Sequence, residues 1–248
     1  MCPRGARDDS DTILEAPSYR LDDMAELAVR LGSPYDYQRS GEVLLATDFA
    51  DGWGGWLVIV GTPYGYVRLT SAYTKAGGVA VVVYTGLGSI NYGGIFYLTH
   101  YPLLTALGLK VSLAWDEHID YIDLSFYIAD GVQGANFRIS YYPATYTLKY
   151  LTTDNTWVTI STSLKLTTTA YLFHDFKLLI DYAKQRYLRF MVDQYEFNML
   201  NFIPDIADNS ISARANCYIR AYSDGITQGL MYIDNVVITQ HDFGPVTL

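Results

Sequence analysis

Residues 174–196 read HDFKLLIDYAKQRYLRFMVDQYE, and this stretch constrains the fold more than any other. In its first half Phe176, Leu178 and Ile180 alternate with Asp175, Lys177 and Asp181, and Leu179 breaks the polar set. Ala183, Lys184 and Gln185 supply a polar turn. In the second half Leu188, Phe190 and Val192 alternate with Tyr187, Arg189 and Met191. Strand side chains point to opposite faces at each step. The pattern therefore predicts a long antiparallel hairpin with one face on a core and the other wet. A helix needs apolar residues three and four apart, and that spacing does not fit both halves. An all-β sandwich follows.

The rest of the chain keeps this grammar. Roughly a dozen strand-like runs are separated by turns every ~8–12 residues, as in one sandwich or barrel rather than βαβ units. Residues 79–84 are a continuous apolar run, expected to be buried on both faces. Residues 86–94 are a glycine-rich loop without a phosphate-binding pattern. Trp157 is expected in the core, residues 197–204 as a strand and 205–210 as a loop.

With 248 residues, half of them apolar, the chain can bury a large core without disulfides or metal. Its 23 Tyr suit strands, where the ring packs on a pleated face and the hydroxyl stays wet. The net charge of −9 disfavours nucleic acid and anionic membranes as partners. No apolar run is long enough for membrane insertion by a helix. Cys2 and Cys217 define no framework and are expected as free thiols. The four His show no metal-ligand spacing, and no G-x-S-x-G elbow is present.

Three regions are expected: an arm over 1–40, a sandwich over 41–242 and a tail over 243–248. Within the arm, residues 20–31 read as an amphipathic helix. Leu21, Met24, Leu27 and Leu31 form one apolar stripe, Asp22 and Asp23 favour the first turn, and Gly32 and Pro34 close it. Such a stripe suits an interface with another subunit or with the chain's own sandwich. Residues 1–20 lack the apolar segment of a secretory signal, which predicts a virion, another assembled particle or the cytoplasm as location.

Three stretches resemble concanavalin A-like jelly rolls, the lectin/glucanase sandwich that includes laminin-G-like domains. They are the hairpin, the closing run Met231-Tyr232-Ile233-Asp234-Asn235-Val236, and the opening run Asp48-Phe49-Ala50-Asp51-Gly52-Trp53-Gly54-Gly55-Trp56. The resemblance covers residues 43–240. The arm followed by the Asp-Phe turn is similar to arm-plus-jelly-roll layouts of uncharacterised phage-associated proteins. The resemblance implies an all-β jelly-roll sandwich with an N-terminal arm and one short helix.

It also implies sites. A structural calcium would fall to Asp48, Asp51 and Asp234. Ala50 replaces the expected Glu, so backbone carbonyls and Asn235 would complete the oxygens. No other cofactor is implied. Glucanases on this fold carry a catalytic carboxylate triplet on one strand, and this chain has none. The nearest acids, Asp116, Glu117, Asp120 and Asp123, read as a solvated turn. A glycan platform would draw on Tyr141, Tyr142, Tyr146 and Tyr150, with Tyr146 and Tyr150 on one face.

Together these features suggest a non-enzymatic structural or adhesive component of a virus particle or similar assembly. The arm would contact other subunits or copies of the chain, and the sandwich would face outward. A carbohydrate-binding module is the alternative, and a divergent glycan hydrolase or lyase the second.

Overall fold

The computed structural model describes residues 42–61, 64–75, 78–88, 91–99, 105–169, 171–208 and 212–242. The chain divides into two compact units, Met1–Arg39 and Ser40–Leu248, and the description concerns the second. The arm, its helix with Leu21, Met24, Leu27 and Leu31, and the tail lie outside the described residues.

Sixteen strands are present among the described residues. The first eight are β1 (Glu42–Thr47), β2 (Leu57–Val60), β3 (Tyr66–Thr70), β4 (Ala80–Tyr84), β5 (Tyr92–Thr99), β6 (Ala106–Trp115), β7 (Ile119–Ala129) and β8 (Gln133–Tyr142). Then come β9 (Thr147–Thr152), β10 (Thr156–Ser161), β11 (His174–Asp181), β12 (Arg186–Val192), β13 (Tyr195–Asn198), β14 (Asp205–Asp208), β15 (Arg214–Ser223) and β16 (Leu230–Gln240). They form two antiparallel sheets. The first runs β13-β12-β11-β6-β16-β4-β3, with β1 also on β16; the second runs β10-β9-β8-β7-β15-β5-β2, with β14 also on β8.

One long strand in each sheet serves two neighbours along one edge. In the first sheet, β16 pairs with β4 through Ile233 and with β1 from Val236. The switch falls on a bulge at Asp234–Val237, with Asn235 in the left-handed conformation at φ 48°. In the second, β8 pairs with β14 over Gln133–Asn136 and with β9 over Ile139–Tyr142. The fork leaves the backbone of Arg138 between two partners. The hydroxyl of Tyr187, fully buried on β12, fills the gap. It accepts from Arg138 N–H at 2.8 Å and donates to the Leu151 carbonyl at 2.8 Å. A buried backbone group left without a partner would cost about 1–3 kcal/mol.

The core lies between the inner faces and is rich in aromatic rings, among them Trp115, Phe126, Phe137, Tyr141, Phe176 and Phe190. Each such side chain contributes about 1.5–3 kcal/mol relative to exposure, which is ample without a cross-link. Cys217 is free and buried. In the opening turn, Phe49 and Trp56 pack at 6.4 Å and Trp56 reaches Tyr97 at 5.4 Å, pinning the turn to β5.

The predicted hairpin is present as β11 and β12, and Ala80–Val83 is buried on both faces, as expected. The structure differs from expectation in several places. A bulge between Leu179 and Ile180 reverses the alternation in β12. Tyr187 therefore enters the core, while Leu188 packs outside with Ala106 and Leu179. Residues 205–208, expected as loop, are a strand, and β13 ends at Asn198 rather than continuing to 204. The glycine-rich stretch becomes strand at Tyr92.

Candidate functional site

The strands β5, β15, β7, β8, β9 and β10 lie side by side, so the register places their outward residues in rows. Tyr222 faces Tyr92 on one side and Tyr121 on the other. One step further along the strands, Arg220 faces Gly94 and Asp123, Asp123 faces Ser140, and Ser140 faces Lys149. Beyond that row, Tyr218 faces Phe96 and Ser125, Ser125 faces Arg138, and Leu151 faces Trp157. A charged row thus runs between two aromatic ones.

The first aromatic row is continuous. Ring centroids are 5.2 Å apart for Tyr92–Tyr222, 4.1 Å for Tyr222–Tyr121 and 5.1 Å for Tyr121–Tyr142. The middle pair is stacked at 12°. All four rings are half-buried, so each shows part of itself to solvent. Burial pushes the phenols of Tyr121, Tyr142 and Tyr222 above their ordinary value. They are therefore neutral hydroxyls at physiological pH and poor proton acceptors.

In the charged row Asp123 is wholly buried between two guanidinium groups. Arg138 Nε lies 2.8 Å from Oδ1, and Arg220 Nη2 donates to Oδ2 at 2.5 Å. The arginine side chains remain 20% and 18% exposed, so the cations and not the carboxylate reach the surface. Burial pulls the Arg138 guanidinium down, but the adjacent Asp123 outweighs it, and the net shift is upward. Each cation also lies over a ring: Arg138 at 5.0 Å from Trp157, Arg220 at 5.0 Å from Tyr218 and Lys149 at 4.6 Å from Tyr142. Gly94 lets β5 lie close on β15, since a Cβ there would clash with the Ile219 carbonyl oxygen and stand 2.8 Å from Arg220 Cα.

The sequence pointed to part of this face. Tyr142 is on it. Tyr150 is not: it is 8% exposed, stacked on Phe202 at 4.4 Å inside the core. Tyr141 is likewise buried and bonds the Leu164 carbonyl. Tyr146 sits at φ 55°, closing a 3-10 turn over Pro143–Thr145, with Lys165 5.4 Å above its ring. That left-handed residue stands just before β9, outside the strand, so counting by twos from 146 to 150 does not keep one face. Tyr146 and Tyr150 therefore share no exposed platform, and Tyr142 lies instead in the row with Tyr121. Trp157 turns outward to Arg138 instead of entering the core.

Asp123 is not part of a solvated turn, although Glu117 and Asp120 are exposed. Its role was hidden because its partners lie 15 and 97 residues away. Strand alternation does place Tyr121, Asp123, Arg138, Ser140, Tyr218, Arg220 and Tyr222 outward, and that signal was readable once the strands were paired.

The three acids named for calcium do not gather. Asp48 and Asp51 are exposed in the opening turn, where Asp48 accepts the Ala50 N–H. Asp234 is buried, and its oxygens accept N–H groups of Lys75 and Asn235 at 2.7 Å. Among the described residues no three of His, Cys, Asp and Glu come together to hold a metal ion. Calcium needs about six oxygens, so these residues do not fit it.

No family model matches the chain, and no curated protein does. Solved structures do. The sheet order and layers are those of a concanavalin A-like jelly roll. An endo-β-1,4-glucuronan lyase from the fungus Trichoderma reesei is similar with a TM-score of 0.57 at 12% identity. That likeness covers 84% of this chain and 100% of the other. A carbohydrate esterase from the Shiga toxin-encoding bacteriophage phi24B has a TM-score of 0.53 at 13% identity, over 81% and 99%. A Bacillus licheniformis β-glucanase has 0.50 at 12%, over 79% and 97%. At these identities the likeness establishes the fold.

Proposed function

We propose that the protein binds a glycan on the outer face of the second sheet, as a carbohydrate-recognition domain. The observation that carries this reading is the row Tyr92, Tyr222, Tyr121 and Tyr142. Sugar rings pack their C–H faces on aromatic rings while their hydroxyls need donors and acceptors, and the row offers both. It crosses four strands, about 14 Å at ~4.8 Å per strand, which suits a stretch of polysaccharide better than one sugar. The solved structures of the same fold named for carbohydrate chemistry are consistent with this use of the sandwich.

Binding is favoured over turnover on this face. Both oxygens of Asp123 are held by arginine, and the phenols hold their protons, so neither is poised as a base. The expected particle role depends on residues 1–40, whereas the glycan reading draws on a surface within the described part. An adhesive component of an assembly remains compatible with it.

The test is isothermal titration of the full chain against soluble polysaccharides, neutral and acidic. The Tyr121→Ala/Tyr222→Ala variant is compared with Tyr66→Ala, which removes a ring stacked on Tyr84 in the other sheet. The double variant should lose about tenfold in affinity and the control should not. If no polysaccharide binds, or if the double variant binds as wild type, the reading is wrong.

A further inference from the structure

The charged row calls for a ligand of a particular sign. The chain carries 26 acidic and 17 basic residues, so a generic stretch of its surface is negative. Here the balance is reversed. Among the residues of the charged row and its neighbour Arg138, the cations Arg138, Arg220 and Lys149 stand against Asp123, an excess of two positive charges, while the exposed Asp120 lies outside it, beside Tyr142. Since Asp123 is fully buried beneath the guanidinium groups, a ligand over this row meets their cations rather than that carboxylate.

These cations also have donors to spare. Each guanidinium has five N–H groups in a planar fork. Arg138 uses its Nε on Asp123, and Arg220 uses Nη2. The Nε of Arg220 is buried without a hydrogen-bond partner in the protein. That buried atom is closed to a ligand, and the donors open to one belong to the part of the guanidinium groups that stays exposed. A carboxylate arriving from outside would use the free donors through charge-assisted bonds.

We infer that the glycan is acidic, a polyuronate whose rings lie along the tyrosine row and whose carboxylates meet Arg138, Arg220 and Lys149. This rests on the glycan reading above and narrows its ligand. Arg220 and Lys149 stand two residues along the strands from the tyrosine row, roughly 7 Å, and Arg138 stands four residues from Tyr142, its guanidinium reaching back to Asp123. A ring on the first therefore places a ring-borne carboxylate over the second. One charge per sugar also suits a patch of two net positive charges on an acidic protein. A denser polyanion such as nucleic acid would be repelled by the remaining surface.

The experiment uses the full chain and three polyuronates of different linkage, namely polygalacturonate, alginate and glucuronan. Each is paired with its methyl ester, which keeps the ring and removes the charge. Xylan, dextran sulfate and single-stranded DNA complete the panel. At least one polyuronate should bind about tenfold tighter than its ester, and the preference should weaken as salt rises. Lys149→Gln, which leaves the Asp123 pair intact, should reduce that preference several-fold while retaining binding to the ester. Arg220→Gln/Lys149→Gln removes both surplus charges, leaves Asp123 paired with Arg138, and should abolish the preference.

Equal binding of acid and ester, or binding of neutral glycans alone, overturns the acidic ligand and leaves the glycan reading standing. Equal binding of dextran sulfate or DNA shows attraction by charge alone and overturns the carboxylate assignment. Failure of every glycan overturns the glycan reading itself.

Discussion

On the outer face of the first sheet, Asp175 accepts from Lys75 Nζ at 2.5 Å and from the Ser112 hydroxyl at 2.5 Å. Lys75 comes from the connection between β3 and β4 and lays its own N–H on Asp234 at 2.7 Å. Nearby, Lys177 pairs at 2.9 Å with Asp242, which is fully buried and also accepts from Thr239. On the outer face of the second sheet, one buried carboxylate holds two arginines, and among the described residues no loop residue bonds across them. Both faces are built from antiparallel strands, the longest of 11 residues in each sheet. The first balances its charges one to one and is covered by the chain itself. The second keeps surplus cations beside open rings. Charge that is internally matched serves the fold, and charge left in excess on a half-exposed face is free to meet a ligand.

The sharpest way to break this contrast is Asp123→Ala. It leaves two arginines facing each other in a partly buried site, and removing one partner of such a group costs about 3–5 kcal/mol. Urea unfolding should register a loss near the lower end, since the guanidinium groups are partly exposed. A loss below about 1 kcal/mol would mean that water already solvates the pair. Next in size is Tyr187→Phe. It keeps the ring and removes the hydroxyl that serves Arg138 N–H and the Leu151 carbonyl at the β8 fork. The expected cost is about 2 kcal/mol, with weaker glycan binding because Arg138 loses its fixed backbone. On the first face, Lys75→Met should cost only about 1 kcal/mol, as its side chain is 23% exposed. Glycan affinity should be unchanged, and a drop would show that the two faces are not independent.

Much of the fold was legible because alternation is local. The hairpin at 174–192, the double-sided burial of β4 and the boundaries of most strands follow from residues within one run. The failures are as instructive. Leu188 and Tyr187 exchange faces at a bulge, and Tyr146 breaks the count into β9 by taking a left-handed backbone. One inserted residue reverses every side chain after it, and no composition signal marks it. The short strand β14 was read as a loop because its partner, the first half of β8, is some seventy residues earlier. The site was hidden for the same reason. Its tyrosines were visible one by one, but the row exists only once β5, β15, β7 and β8 are set side by side.

The smallest effect concerns pH and belongs to the first sheet. His174 Nδ1 lies 2.6 Å from Asp193 Oδ2, where β11 begins and β12 ends, and Asp193 also accepts the Asp175 N–H at 2.9 Å. Burial alone would raise the Asp193 carboxyl. The bonds from His174 and from the Asp175 backbone, with Lys75 nearby, outweigh it and hold the group below its ordinary value of 3.8. A carboxyl depressed in the folded state stabilises it above that ordinary value, and the contribution disappears as pH falls through the folded value. The wild type should therefore lose stability below about pH 4 more steeply than Asp193→Asn, by about 1 kcal/mol or less for a group this exposed. Thermal melts from pH 7 to 2.5 would show it. Parallel curves would place the acid sensitivity in other carboxylates and remove Asp193 from the account of how the first face is held shut.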